Sequence, residues 1–289
     1  MNKQLINMGS LCIGCGAGII ANEIIKSLNE PAIFVLATGC LEVGTTTYPH
    51  NSWPYPVIHA NFGNAASVAS GIARARKFNQ KINKNLQIIA IAGDGATYDI
   101  GLAALSGMAE RGEDVLYICY NNQAYMNTGI QKSGATPIGA QNSTLLKWEV
   151  EQKLYPKSVI KIMLAHKIPY VAQTIPIFNN DLTAKIKKAI NIKGPKYIEI
   201  LSPCIRGWYY EPKDSLNIIN LAVETCFWPL FEYEDNQLKI NYVPENKEKI
   251  STWLKLQKRF TELSKDKNLI DKLQKQINKN WEELLKENN

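Results

Sequence analysis

The sequence predicts an α/β fold: a mostly parallel sheet with helices on both faces, followed by a C-terminal hairpin and a helical tail. Three observations predict it. Short apolar runs alternate with small-residue or amphipathic helical stretches between residues 17 and 201, which is the pattern of linked βαβ units. Residues 88–131 hold one complete unit: a strand (88–92) stopped by Gly93-Asp94-Gly95, a small-residue helix (98–111), and a second strand (115–120) stopped by Asn121-Asn122. Beyond Gly207 the alternation ceases, and hairpin and lysine-rich helical patterns replace it. The chain therefore divides into an α/β domain, 1–210, and an extension, 211–289, packed on that domain or on a partner subunit.

The elements follow in order. A helix over 17–28 places Ile20, Ile24 and Leu28 on one face. The β-branched and aromatic run 31–36 is a strand leading to Cys40. Residues 42–64, rich in Thr, Pro and aromatics, form a long irregular stretch, and a loop of that length in a small domain is usually functional. A small-residue helix covers 65–78, and 79–85 is a solvated linker into the central strand. After the central unit, 132–146 carries Gly, Thr and Pro and is expected to close over the site. A helix at 159–166, a strand at 170–175, an amphipathic helix begun by Asp181 and a strand at 197–201 complete the parallel sheet. The extension has an apolar helix (216–227), a hairpin (230–242) turning at Asp235-Asn236, and two lysine-rich helices. Trp253, Leu256 and Phe260 share a face of the first; Leu269, Leu273, Ile277, Trp281 and Leu284 share a face of the second.

Composition bounds the function classes. With 289 residues and 45% apolar content the chain can bury a full core, and no run approaches the ~18 apolar residues of a membrane helix. The opening MNKQLINMGSLC shows no apolar core of a signal peptide, so a cytoplasmic location without membrane association is expected. The formal charge of +7 comes mostly from lysines. Arginines are few and not interleaved with aromatics, which argues against a nucleic-acid partner. The lysines are solvated helix faces or a surface attracting acidic partners.

Both polar clusters of the central unit fall at carboxyl ends of parallel strands, where open α/β sheets bind ligands. Asp94 offers a carboxylate there and Asn122 a side-chain carbonyl, with a backbone carbonyl available just after Gln123-Ala124. A few hard oxygens of this kind suit Mg2+, which fills its remaining coordination from phosphate and water. Gly93 and Gly95 permit close backbone approach, and the helix start beyond them can bind anionic oxygens. A Gly-Asp-Gly alone is more often an ordinary tight turn; the asparagine pair on the next strand is what reverses the balance.

Six cysteines are present, and in a cytoplasmic chain structural disulfides are not expected. Cys12-Ile-Gly-Cys15 fits a zinc knuckle, a redox dithiol or half of an iron–sulfur site. Cys40 and Cys204 each follow a strand, so both can reach the same rim as the pair. Four thiolates there would complete a [4Fe–4S] cluster or hold zinc; spacing alone leaves both open. Cys119, inside a strand, and Cys226, inside an apolar helix, are packing residues. His59 is expected to be a structural, hydrogen-bonded histidine, with less still to recommend His50 and His166.

Gly-Asp-Gly followed some twenty-five residues later by Asn-Asn resembles the thiamine-diphosphate and magnesium motif of thiamine-dependent enzymes. The continuation ATYDIGLAALSGMAERGEDVLYICYNNQAYMNTGIQKSGATP resembles the β subunit of the pyruvate:ferredoxin oxidoreductases, in the 2-oxoacid:ferredoxin oxidoreductase family. The likeness runs from about Cys12 to Cys204, with the tail also similar, and implies the diphosphate-binding half of the thiamine-diphosphate fold. By position it implies Mg2+ on Asp94, Asn122 and the Ala124 carbonyl, and Asn127 at the reactive side of the cofactor as the catalytic residue. Gly93, Gly95, Ala96 and Thr128 are the neighbouring cofactor contacts, and Gly39, Cys40 and Asn64 further ones. The Cys-Ile-Gly-Cys-Gly, Ala-Thr-Gly-Cys-Leu-Glu and Ser-Pro-Cys segments match the ligands of one [4Fe–4S] cluster: Cys12, Cys15, Cys40 and Cys204. An electron acceptor has a purpose beside thiamine diphosphate and zinc has none, so the resemblance favours iron.

The implied reaction is oxidative decarboxylation of pyruvate, with coenzyme A taking the acyl group and electrons leaving through the cluster toward ferredoxin. 2-Oxoisovalerate and oxalate are alternative substrates, and a non-oxidative thiamine decarboxylase half or a zinc-binding assembly protein are alternative classes. Glu42, Glu110 and Glu113 occupy no context suited to activating the cofactor's pyrimidine. The resemblance implies that this glutamate comes from an α subunit, that γ- and δ-type subunits complete the complex, and that the chain is inactive alone.

Overall fold

The computed structural model describes residues 10–144, 155–178 and 180–288. An eight-stranded sheet runs through the molecule in the order β2-β1-β3-β4-β6-β5-β7-β8. Its strands are β1 (Ala32–Ala37), β2 (Val57–Ala60), β3 (Gln87–Gly93), β4 (Leu116–Asn121), β5 (Tyr170–Thr174), β6 (Lys196–Leu201), β7 (Phe231–Glu234) and β8 (Gln237–Ile240). The first six in chain order pair in parallel; β7 joins β5 antiparallel and β8 joins β7 through a hairpin. The hairpin turns at Asp235 and Asn236, both with positive φ (48° and 62°), as a two-residue turn matched to strand twist requires.

The helices are α1 (Gly16–Lys26), α2 (Cys40–Thr45), α3 (Ala65–Phe78), α4 (Leu102–Glu110), α5 (Val159–Ala165), α6 (Asp181–Asn191), α7 (Ile205–Trp208), α8 (Ser215–Glu224), α9 (Ile250–Lys255) and α10 (Lys267–Asn288). Because the central strands are buried on both faces, alternate residues feed different cores. Val35, Ala90 and Tyr117 point into a cluster shared with α3, α4 and α5, whereas Phe34, Ile89 and Ile118 point into one shared with α1 and α6. A third cluster is built by the C-terminal elements. Trp208, Trp253, Phe260, Ile277 and Trp281 are buried there together with Ile175 and Leu201 from the ends of β5 and β6. The aromatic faces of the tail are thus covered by this chain, and removing a ring such as Trp253, with 0% exposure, would cost about 3–5 kcal/mol.

Three local features depart from the sequence-based expectation. The stretch expected to be irregular contains α2 and the edge strand β2, whose short Val-Ile-His-Ala run pairs with Phe34–Ala37 of β1. The helix of the central unit begins at Gly95 rather than Tyr98, with a wider π turn (Gly95–Ile100) before α4. The first lysine-rich helix is the short α9, followed by two 3-10 turns, Lys258–Phe260 and Leu263–Lys265. Of the expected closing loop, residues 145 and 146 lie outside the described residues.

The register brings the carboxyl ends of β1, β3, β4 and β6 level with one another, with Leu36 opposite Ile91, Gly93 opposite Tyr120 and Asn121 opposite Leu201. Four loops therefore emerge on one rim: Thr38–Cys40, Asp94–Gly95, Asn122–Ala124 and Ser202–Cys204.

Candidate functional site

A cleft opens on this rim, lined by Gly39, Cys40, Gly93, Asp94, Gly95, Ala96, Asn122, Ala124, Asn127 and Thr128, among others. Of the residues singled out in the sequence for this role, only Asn64 stands outside the lining; it is exposed at the start of α3. Gly95 is required by its neighbour, since a Cβ there would lie 2.5 Å from the Tyr125 ring. Tyr125 is held in turn by Asp99, whose carboxylate accepts from the Tyr125 hydroxyl at 2.9 Å and from the Gly134 N–H at 2.9 Å.

Asp94 is fully buried. It accepts hydrogen bonds from the Asn122 N–H at 3.2 Å and from the Ser133 hydroxyl. Burial, only partly offset by these bonds, pushes its pKa up to about 7, so an ionised carboxylate here lacks a compensating charge. The Asn122 amide meets the Asp94 Oδ1 and Ala124 carbonyl oxygens at 2.9 and 2.8 Å with one of its two ends. Turned nitrogen-inward, the amide donates to both. Turned oxygen-inward, its Oδ1 lies against both of those oxygens, a contact that a bound cation would relieve. An octahedral Mg2+ with ligands at ~2.0–2.1 Å holds adjacent oxygens roughly 2.9 Å apart, which is the spacing of that Asn122 end from each of its two neighbours.

The loop carrying two of these oxygens is fixed from behind. Gln123 adopts a left-handed conformation (φ 68°). Its N–H donates to Asn121 Oδ1 at 3.0 Å, its carbonyl accepts from the Thr136 hydroxyl at 2.7 Å, and its Oε1 accepts from Arg259 at 2.6 Å. The Asn122 carbonyl accepts from Trp208 Nε1 at 2.9 Å. Beneath Asp94 lies a second buried carboxylate, Glu199, hydrogen-bonded by Tyr98, by Asn121 Nδ2 at 2.7 Å and by Tyr197 at 3.2 Å; burial raises its pKa. The sequence did not single out Ser133, Trp208, Arg259 or Glu199. Their only trace there is a polar or aromatic residue type, because their role depends on contacts distant in the chain.

Cys12, Cys15, Cys40 and Cys204 all line one cavity of about 210 Å³. The backbone joins their loops directly: Cys15 N–H donates to the Cys12 carbonyl at 2.9 Å, and Gly16 N–H to the Pro203 carbonyl at 3.3 Å. Cys204 heads α7, its sulfur accepting from the Gly207 N–H at 3.3 Å. Burial, then the neighbouring Cys204, Cys15 and Cys12 sulfurs, push the Cys40 pKa up to about 12. Cys204 is raised to about 11, again mainly by burial. Cys15, Cys40 and Cys204, whose ionisation burial and neighbouring sulfurs oppose, belong to a donor set that a cationic group would relieve. Among the described residues no three His, Cys, Asp or Glu side chains converge on a single metal ion; the four sulfurs surround a cavity instead. Cys40, Asn122, Met126 and Asn127 line both this cavity and the cleft, so the two share a wall. Cys40 Sγ lies 3.9 Å from Asn127 Oδ1 across it. Cys119 is fully buried in β4, and Cys226 is buried in the third cluster.

Two of the three histidines have side-chain partners: His59 Nε2 lies 2.7 Å from the Thr38 hydroxyl and His166 Nε2 lies 2.9 Å from the Ser106 hydroxyl. No helix among the described residues is long and apolar enough to cross a membrane.

Residues 37–200 match the family described as thiamine pyrophosphate enzyme, C-terminal TPP binding domain. The chain is 45% identical to the pyruvate synthase subunit PorB of Methanocaldococcus jannaschii, over 92% of this chain and 91% of that protein. It is 40% identical to the ketoisovalerate oxidoreductase subunit VorB of Pyrococcus abyssi, over 95% of this chain and 90% of that one. Among solved structures, a chain of the 2-oxoglutarate:ferredoxin oxidoreductase of Magnetococcus marinus, with 2-oxoglutarate, coenzyme A and succinyl-CoA bound, shares the fold. The TM-score is 0.61 at 23% identity, covering 70% of this chain and 66% of that one.

Proposed function

The chain belongs to the β subunits of the 2-oxoacid:ferredoxin oxidoreductases, and from that premise we propose that it binds thiamine diphosphate through Mg2+ beside one [4Fe–4S] cluster and serves the oxidation of pyruvate. The observation that carries this reading is the shared wall between the oxygen-lined cleft and the four-cysteine cavity. Asp94, Asn122 Oδ1 and the Ala124 carbonyl would hold Mg2+, whose remaining coordination the diphosphate and water would fill. Gly93, Gly95, Ala96 and Thr128 contact the cofactor, with Gly39 as a further contact. Cys12, Cys15, Cys40 and Cys204 are the cluster's ligands.

Bound thiamine diphosphate supplies the electron sink that lets a 2-oxoacid lose carbon dioxide. The chain's own residues bind and orient. Buried Asp94 would hold the metal ion as a carboxylate, its proton leaving to solvent, and Trp208, Thr136 and Arg259 fix the carbonyl-bearing loop so that metal binding needs little rearrangement. Asn127 sits between cleft and cluster cavity, where its amide can hydrogen-bond a 2-oxoacid, and the wall it shares with Cys40 keeps the route for electrons short. The described residues offer no glutamate aimed into the cleft, consistent with a pyrimidine-activating carboxylate on an α subunit. Further partners are γ- and δ-type subunits that pass electrons to ferredoxin, with coenzyme A accepting the acyl group. Residues 1–210 make up the cofactor-binding unit and 211–289 an extension that buttresses it.

Pyruvate is favoured over 2-oxoisovalerate by identities of 40–45% to the PorB relatives against 39–40% to the VorB ones. The experiment is coenzyme-A-dependent dye reduction by the co-purified complex with pyruvate, 2-oxoisovalerate, oxalate and 2-oxoglutarate. The expected result is the highest kcat/KM for pyruvate; a higher value for 2-oxoisovalerate would reassign the substrate, and reduction by none of the four would remove the oxidoreductase reading.

A further inference from the structure

Four cationic side chains are buried among the described residues, and three of them hold a carboxylate. Lys185 pairs with Asp181 at 2.7 Å, Lys196 with Asp114 at 2.6 Å, and Arg76 with Asp114 at 2.8 Å. The fourth, Arg259, is 2% exposed and makes no ion pair with any carboxylate among the described residues. Its guanidinium donates instead to two neutral oxygens, Gln257 Oε1 at 2.7 Å and Gln123 Oε1 at 2.6 Å. It also stacks on Trp208, 4.0 Å from the ring centre, with Phe260 at 4.8 Å. A buried cation without a counter-ion is strongly disfavoured, and arginine does not readily escape by losing its proton. Burial accordingly drives its pKa well below the ordinary value, with the Cys204 sulfur the strongest opposing influence.

The position of the guanidinium says where the missing negative charge belongs. Trp208, on which it stacks, closes the single turn of α7; its N–H donates to the Cys204 carbonyl at 2.8 Å. Gln123, which it hydrogen-bonds, follows Asn122, and Asn122 and Cys204 both line the four-cysteine cavity. Arg259 thus backs the wall of that cavity from the interior, outside the lining itself.

We propose that Arg259 is the built-in counter-charge of the iron–sulfur cluster, a fixed cation behind the Cys204 turn that favours the cluster's reduced form and raises its reduction potential. This rests on the four cysteines holding a [4Fe–4S] cluster. Four thiolates make such a cluster an anion, and one electron from the 2-oxoacid adds one more negative charge with no bond made or broken. A positive charge in a low-dielectric interior stabilises that added charge, and burial protects the interaction from screening by salt. Gln123 and Gln257 hold the guanidinium in place without cancelling its charge, as a carboxylate would.

The test is a reductive titration, followed by electron paramagnetic resonance, of the complex purified anaerobically. The relevant signal is the one absent from the Cys40→Ser complex. Arg259→Gln and Arg259→Met should move that cluster to a lower potential, and Arg259→Lys, which keeps the charge, should leave it near the parent value. An unmoved potential in the Gln and Met complexes, or a Lys complex shifted as far as Gln, overturns the proposal in favour of a bracing role for Gln123. Should the Gln and Met complexes load no iron while the Lys complex loads it at the parent potential, the requirement for charge stands. Should all three fail to load, Arg259 is a packing residue and the proposal falls. If the parent and Cys40→Ser complexes carry the same iron and the same signals, the cluster assignment itself fails, and the proposal fails with it.

Discussion

The Asp94→Asn substitution exchanges a carboxylate for a near-isosteric amide at a position with 0% exposure. In the metal-free protein that carboxylate is a burden, because burial moves its pKa from 3.8 to about 7. A folded-state pKa above the unfolded one means the carboxyl's contribution to stability is intact below about pH 4 and lost as pH rises through about 7. Three pKa units at about 1.4 kcal/mol each give a penalty of roughly 4 kcal/mol once ionisation is complete. Asparagine has no such penalty but carries one acceptor oxygen and so cannot accept from both the Asn122 N–H and the Ser133 hydroxyl; losing one of the two returns about 1 kcal/mol. The metal-free variant should therefore be more stable than the parent by about 3 kcal/mol at pH 8 and less stable by about 1 kcal/mol near pH 4. That corresponds to about 5–10 °C in melting temperature at the alkaline end. The same variant should lose magnesium-dependent retention of thiamine diphosphate, since an amide leaves the divalent ion without its anionic ligand. Thermal unfolding of the chelator-treated complex at pH 5 and pH 8, followed by circular dichroism, reads the first effect; cofactor content after gel filtration reads the second. A variant that melts below the parent at pH 8, or that keeps its cofactor, would refute the reasoning.

Binding of Mg2+ must displace the Asp94 proton below about pH 7, so its apparent affinity should fall roughly tenfold per pH unit below that point and level off above it. Calorimetry in buffers of different ionisation enthalpy should find about one proton released at pH 6 and almost none at pH 8; equal release at both would count against Asp94 as a ligand. Replacing Cys40 or Cys204 with Ser should bleach the visible iron–sulfur absorption, while the same change at Cys119 or Cys226, which line neither cavity, should leave it; the reverse pattern would move the cluster elsewhere. Trp208→Phe keeps the ring packing and deletes the 2.9 Å hydrogen bond to the Asn122 carbonyl. It should weaken magnesium-dependent cofactor binding about fivefold, the equivalent of ~1 kcal/mol, and unchanged binding would show that the loop holds its shape without this bond.

The central strands were legible because each reads locally: an apolar run of strand length, stopped by Gly-Asp-Gly or Asn-Asn. The hairpin at Asp235-Asn236 was legible for the same reason, as two residues tolerant of positive φ between alternating strands. β2 was not. It is a four-residue edge strand just after Pro56, with Ile58 and His59 exposed, so neither an apolar run nor a long alternation marks it. The π turn at Gly95–Ile100 escaped as well, since no residue pattern separates it from the first turn of an α-helix; it is held in part by Tyr98 bonded to Glu199 across the sheet. Within the candidate site, the lining of cleft and cavity could be read because Asp94, Asn122, Cys40 and Cys204 stand at strand ends and Cys12 and Cys15 form a Cys-x-x-Cys pair. The supporting layer could not. Ser133, Trp208 and Arg259 reach Asp94 and the Asn122–Ala124 loop from up to 136 positions away in sequence, and nothing in their local context announces that contact.

The account depends most on the rim bearing both an oxygen-held Mg2+ and an iron cluster on opposite sides of one thin wall. Anomalous diffraction from crystals of the complex, collected on both sides of the iron absorption edge, tests this directly. The predicted result is an iron signal inside the cavity bounded by Cys12, Cys15, Cys40 and Cys204, next to diphosphate and metal density at Asp94. A zinc signal in that cavity, or iron found only away from these four sulfurs, would contradict it.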